Sequence, residues 1–276
     1  MKKNITPLSV FIYLVAVLWS FLTLYPYLFM FITSFKSNSE FMSGNTFGLP
    51  KDFFIGNYIE VLSGRFPLYL KNSIIVTGLS VFLTLMFASM AAYVFARLSN
   101  GVVSKANAVV VACMSIPIHV AFIPVFILAR KLGIYDTIWV LIPVYVTFNL
   151  PAACFIMTGF MKTIPREIEE AAQIDGASLF RTYLEVALPL SRPAFVTLGI
   201  YVGCHVWNEF SFAMILTNKL ENRTLPLAPW DYRTEYTSNT AAILTVLALS
   251  TLPMLIVYAF SSEKLVKGMV SGAVKG

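Results

Sequence analysis

Two ionisable side chains, His205 and Glu209, stand inside one long apolar stretch of this 276-residue chain. Read as a single helix starting near Arg192, that stretch carries them roughly 20 and 25 Å along its axis. It also puts Tyr201, His205, Asn208 and Phe212 at i, i+4, i+7 and i+11, with Glu209 at the edge of their face. Aromatic rings that stack on C–H surfaces, interleaved with amide, imidazole and carboxylate groups that take hydroxyls, are the chemistry a sugar needs. Asn149, just before Leu150 and Pro151 in another apolar stretch, is a further candidate for such a lining. The plainer alternative is that Trp207 and Glu209 mark an interfacial aromatic belt and that His205 bonds a neighbouring helix.

Other chemistries lack their residues. His119 and His205 are the two histidines, and no H-E-x-x-H, G-x-S-x-G or G-x-x-x-x-G-K-[ST] pattern occurs. Cys113, Cys154 and Cys204 stand singly in apolar stretches with no C-x-x-C pair, and read as small hydrophobes. The expectation is a chain that is not an enzyme, with no catalytic residue, no metal and no bound cofactor.

The elements that must position these residues follow from composition. The chain is 58% hydrophobic and 12% charged, against about 25% charged in soluble domains, so a water-soluble globule is excluded. An excess of 20 Lys and Arg over 14 Asp and Glu suits an anionic membrane leaflet rather than nucleic acid. Apolar windows near 8–32, 72–96, 107–129, 138–160, 193–216 and 240–260 are each long enough to cross a bilayer and are apolar on every side, without the alternation of a barrel strand. This predicts an all-α membrane protein with six transmembrane helices. The apolar run after Met1, Lys2 and Lys3 exceeds a signal-peptide core and is expected to remain as an anchored first span.

With both termini cytoplasmic, segments 97–106, 161–191 and 261–276 lie inside and 33–70, 130–137 and 217–239 outside. The Lys and Arg distribution favours this orientation only slightly. Ser73, Thr77, Ser80 and Thr84 share one helix face and read as packing contacts. Pro117, Pro124, Pro143, Pro151 and Pro253 are candidate bends.

Two connections are elements in themselves. Segment 33–70 reads as an irregular outer cap with one short helix near 57–62. Segment 161–191 reads as a helical hairpin: Thr163 and Pro165 at a start, Glu167, Glu169 and Glu170 in the first turn, Gly176 at an end, then Ser178 opening a second helix that Pro189 closes. Its first helix is small-faced through Ala171, Ala172, Gly176 and Ala177, while Leu179, Phe180, Tyr183, Leu184 and Ala187 stripe the second.

The string Glu170-Ala-Ala-Gln-Ile-Asp-Gly176, nine residues, then Val-Ala-Leu-Pro189 resembles the EAA signature of binding-protein-dependent ABC importer permeases, with Val186 in place of the usual Ile. Residues 115–143, the VWNEF string at 206–210 and the final VKGMVSGAVKG are similar to the maltose-type carbohydrate branch, closest to its six-span member. The resemblance implies a type I ABC importer permease fold in one transmembrane domain, 1–276, with 161–191 as a cytoplasmic coupling hairpin and 261–276 as a tail. It assigns ATPase coupling to Glu169, Glu170, Ala171, Ala172, Asp175, Gly176, Leu188 and Pro189, and leaves Tyr201, His205, Asn208, Glu209, Phe212 and Asn149 as the candidate sugar path. It further implies a bacterial or archaeal inner membrane, a second permease subunit of different sequence, two ABC ATPase subunits carrying ATP and Mg, an extracytoplasmic sugar-binding protein, and a sugar substrate imported by alternating access. The rival is an ion-gradient-driven secondary transporter, which would be expected to carry paired repeats and a mid-span carboxylate, neither of which is seen.

Overall fold

The computed structural model describes residues 6–98, 100–234 and 237–273, those after 260 by backbone alone. Lys2, Lys3 and the tip of the expected tail at 274–276 lie outside the described residues. The helices are α1 (Pro7–Ser34), α2 (Asn38–Met42), α3 (Gly56–Ser63), α4 (Phe66–Arg97), α5 (Gly101–Cys113), α6 (Phe122–Lys131), α7 (Leu141–Met161), α8 (Arg166–Ile174), α9 (Leu179–Thr182), α10 (Leu188–Leu190), α11 (Arg192–Trp207), α12 (Ser211–Leu216) and α13 (Thr240–Ala273). Among the described residues four segments are long and apolar enough to cross a membrane, or six if each of two bent helix pairs counts as one span. The chain divides into two units, 1–67 with 228–253 and 68–227 with 254–276.

In the first unit α1 starts at a reciprocal cap, Thr6 and Ser9 exchanging side-chain and backbone bonds, with Pro7 in its first turn. Its apolar side chains from Leu8 to Leu28 stay exposed, which suits lipid rather than a core. Beyond its end the chain is fastened by Asn57 of α3, whose Nδ2 donates to the carbonyls of Ser34 at 3.0 Å and Lys36 at 2.7 Å. Lys36 is fully buried and donates from Nζ to the carbonyls of Asn45 and Thr46. Desolvation holds its ammonium below the ordinary lysine value, against the opposing pull of Glu40. Segment 33–70 is thus more ordered than the sequence suggests: α2 is an added helix, and α3 covers the expected one.

In the second unit α7 contributes to both apolar cores. Leu141, Val144 and Tyr145 pack with Val140, Val202, Val206, Phe212 and Leu216, while Ala153, Met157 and Met161 pack with Ala88, Ala92, Tyr93, Tyr183 and Leu198. Alanines on α4 let neighbouring helices approach closely, and Ser80 and Thr84 are wholly buried on the same helix.

Several expected boundaries move. The window at 107–129 is not one straight helix: α5 and residues 118–131 meet at 93° across the break that holds Pro117, whose extended ψ of 124° and missing N–H end the helical ladder. Pro151 and Pro253 lie inside α7 and α13 without ending them. The last helix does not stop at 260 but runs to Ala273, through most of the expected tail.

Candidate functional site

The hairpin forms where its signals stand. Pro165 caps α8 with fixed φ, and Glu167 and Glu169 occupy the first turn, where the positive end of the helix dipole favours carboxylates. Gly176 follows with φ +90°, a left-handed conformation that glycine adopts without a Cβ penalty. Ser178 Oγ then accepts from Arg181 N at 3.3 Å and opens α9. The second helix closes one residue after Pro189, the run from Leu179 ending at Leu190 and bending by 73° into α11. Residues 183–187 form a single π turn that passes directly into α10, the last turn of this helix, which holds Pro189.

Burial sorts the expected coupling residues into two groups. Glu170, Ala171, Asp175 and Gly176 are exposed, Ala172, Leu188 and Pro189 half-buried. Ile174 is 87% exposed, and Leu179, Phe180 and Leu184 are also open, so the expected apolar stripe covers the core only through Tyr183 and Ala187. Glu169 belongs to the other group. It is 4% exposed and accepts from Arg97 Nε at 2.9 Å and Nη2 at 2.6 Å, and from Tyr93 Oη at 3.2 Å. Its helical phase turns it into the protein.

The sugar-path candidates also divide. Tyr201 and His205 lie on the open side of α11 with ring centroids 4.5 Å apart, and Asn208 is exposed at the end of that helix. The helix stops there, so the face does not continue to Phe212 as i+11. Phe212 is fully buried, edge-on to Phe122 at 4.8 Å and stacked on Phe148 at 5.3 Å. At the break Glu209 Oε1 accepts from Phe212 N at 2.8 Å and Oε2 from Ala213 N at 3.2 Å, so its carboxylate satisfies the first turn of α12. Asn208 Nδ2 donates to Cys204 O and Asn149 Nδ2 to Tyr145 O, each the carbonyl one turn earlier, which leaves each Oδ1 outside that bond.

Four contributors were not singled out from the sequence. Tyr145 donates to Glu209 Oε2 at 2.7 Å. Arg97 and Tyr93, at i and i−4 on α4, converge on Glu169; that spacing, ending an apolar window in Arg, was the available signal. Asp136, at φ 58°, accepts from the N–H groups of Asn218 and Lys219 and fixes the start of the segment after α12.

A family model described as binding-protein-dependent transport system inner membrane component matches residues 84–270. A chain of Caldicellulosiruptor sp. (strain Rt8B.4), whose name carries the words ABC transporter permease protein, is 49% identical over 258 residues, 94% of each chain. The trehalose/maltose transport system permease protein MalG of Thermococcus litoralis is 29% identical over 275 residues, 95% of each. The multiple sugar-binding transport system permease protein MsmG of Streptococcus mutans is 29% identical over 269 residues, 95% of this chain and 96% of that one. Among solved structures, a bacterial ABC transporter involved in the import of the acidic polysaccharide alginate superposes with a TM-score of 0.80 at 22% identity, over 93% of this chain and 95% of that one.

Proposed function

The chain belongs to the family of binding-protein-dependent transport system inner membrane components, and from that premise we infer that it is a permease subunit of an ATP-driven importer of a sugar or short oligosaccharide. The match across residues 84–270 carries this reading; relatives named for trehalose, maltose and multiple sugars support the substrate class. In this reading each bent pair is one span, giving six, and both termini face the cytoplasm. Segment 161–191 couples the spans to separate ATPase subunits that hold ATP and Mg, and this chain pairs with a second permease and receives sugar from an extracytoplasmic binding protein.

The exposed face of α8, Glu170, Ala171 and Asp175 with Gly176 beyond it, is small and acidic. It suits the groove of an ATPase subunit, with Ile174 and Phe180 as apolar anchors. Tyr201, His205 and Asn208 supply ring faces and hydrogen-bonding groups along one open face, and Asn149 an amide, for sugar hydroxyls and C–H surfaces. The test is reconstitution of the chain with its co-purifying subunits in proteoliposomes. The expected result is sugar uptake that needs ATP and a sugar-loaded binding protein. Uptake that continues without ATP and collapses with the ion gradient overturns the reading.

A further inference from the structure

α4 carries a polar rail over its last turns. Ser89, Tyr93 and Arg97 stand at i, i+4 and i+8, so they line one face of the helix. Each reaches the hairpin. Arg97 forks onto Glu169 of α8 through Nε and Nη2, a pair whose side chains are 9% and 5% exposed, and its Nη2 also donates to Ile164 O at 3.2 Å. Tyr93 donates to the same carboxylate and packs its ring 5.3 Å from that of Tyr183. Ser89 Oγ and Tyr183 Oη share a buried hydrogen bond of 2.8 Å. Both arms of the hairpin are therefore fastened to one span to which neither is directly joined in sequence.

A buried ion pair is a poor device for stability alone, because desolvating both charges consumes most of their attraction. Its advantage is directional: a bidentate fork fixes distance and orientation together. The second arm meets the rail at the π turn of residues 183–187, a helical irregularity of the kind found at functional positions.

We propose that Arg97 and Glu169, assisted by Tyr93, are positioning residues that transmit displacement of the hairpin to α4. The inference rests on the permease reading above and adds to it the intramolecular half of the linkage: Glu169 faces Arg97 of its own chain and not the ATPase. Pushing on α8 then moves α4 as one body with it, and α4 carries the wall that packs on α7 and α11.

The test uses the assembled complex in proteoliposomes and reads sugar imported per ATP hydrolysed. A contact that only stabilises the fold lowers the amount of complex, and with it uptake and hydrolysis together, leaving the ratio unchanged. Arg97→Gln and Glu169→Gln are expected to lower the ratio about fivefold or more with hydrolysis largely retained, and the exchange Arg97→Glu with Glu169→Arg to recover most of it. If the glutamine variants fail to assemble, Arg97→Lys keeps the charge but loses the fork, and is expected to lower the ratio about twofold to threefold. An unchanged ratio in any assembled variant, with uptake still ATP-dependent, overturns the linkage and leaves the permease reading standing. Uptake by the unaltered chain that ignores ATP overturns both.

Discussion

Tyr145 of α7 donates its phenolic O–H to Glu209 Oε2 at 2.7 Å, onto the carboxylate that also takes the N–H groups of Phe212 and Ala213. One side chain thereby breaks the apolar helix at 208–210, restarts it as α12, and ties the junction to a span 64 residues earlier. Glu209→Gln keeps one acceptor but turns an amide N–H₂ towards backbone donors, and is expected to cost about 1 to 2 kcal/mol. Tyr145→Phe removes one bond and is expected to cost about 1 kcal/mol. In thermal unfolding of the purified complex the pair should couple by more than about 0.5 kcal/mol in a double-mutant cycle. Additive effects would show that the two groups act apart.

Gly176 holds φ +90°, and a Cβ built there meets nothing within 4 Å. A substitution is therefore penalised by backbone conformation and not by a clash. Gly176→Ala is expected to cost about 1 kcal/mol and Gly176→Asn less, because asparagine tolerates the left-handed region. The readout is protease susceptibility of the hairpin, which should rise in the order Gly, Asn, Ala. Equal susceptibility of all three would show that the turn is not held in this conformation.

The membrane class and the hairpin were legible in the sequence because their signals are local. An apolar run needs no partner to declare itself, and Gly176 and Ser178 end and start helices through their own backbone and side-chain chemistry. What was not legible depends on distant groups. Whether Glu169 or Glu170 turns inward is decided by the phase of α8 against Arg97, 72 residues earlier. The break after Asn208 is decided by a carboxylate whose best partner is Tyr145, and a continuous helix through Phe212 is what hydropathy alone predicts. Pro117 did signal a bend, but proline by itself does not distinguish the 93° turn there from the uninterrupted helix at Pro151.

Asp136 gives a pH signature. Burial raises its pKa, but the N–H groups of Lys219 and Asn218, with Asn222 and the Lys219 charge, outweigh it and hold the carboxyl below its ordinary 3.8. The folded chain therefore binds this proton at lower pH than the unfolded chain. The stability it supplies is complete above the unfolded value and is lost as pH falls through the folded one. In Asp136→Asn that contribution is absent, so the difference in melting temperature between the two proteins should shrink from pH 6 towards pH 3. A constant difference across that range would show that the carboxylate charge is not what secures the segment at Asn218 and Lys219.

Phe212 and Tyr201 were placed on one face by spacing and are separated by the helix break, so they should respond to truncation in opposite ways. Phe212 is fully enclosed between Phe122 and Phe148, and Phe212→Ala leaves a cavity expected to cost about 3 to 5 kcal/mol. Tyr201 is 38% exposed and its main ring contact is with His205, one turn along the same helix. Tyr201→Ala is expected to change stability by about 0.5 kcal/mol or less. If its ring stacks on a passing sugar, the apparent KM for uptake should rise about fivefold, equivalent to about 1 kcal/mol of lost aromatic contact. Melting temperature and uptake kinetics measured on both variants separate the two roles. Normal uptake by Tyr201→Ala across a panel of sugars would remove α11 from the proposed path and leave its open face to lipid or to a partner subunit.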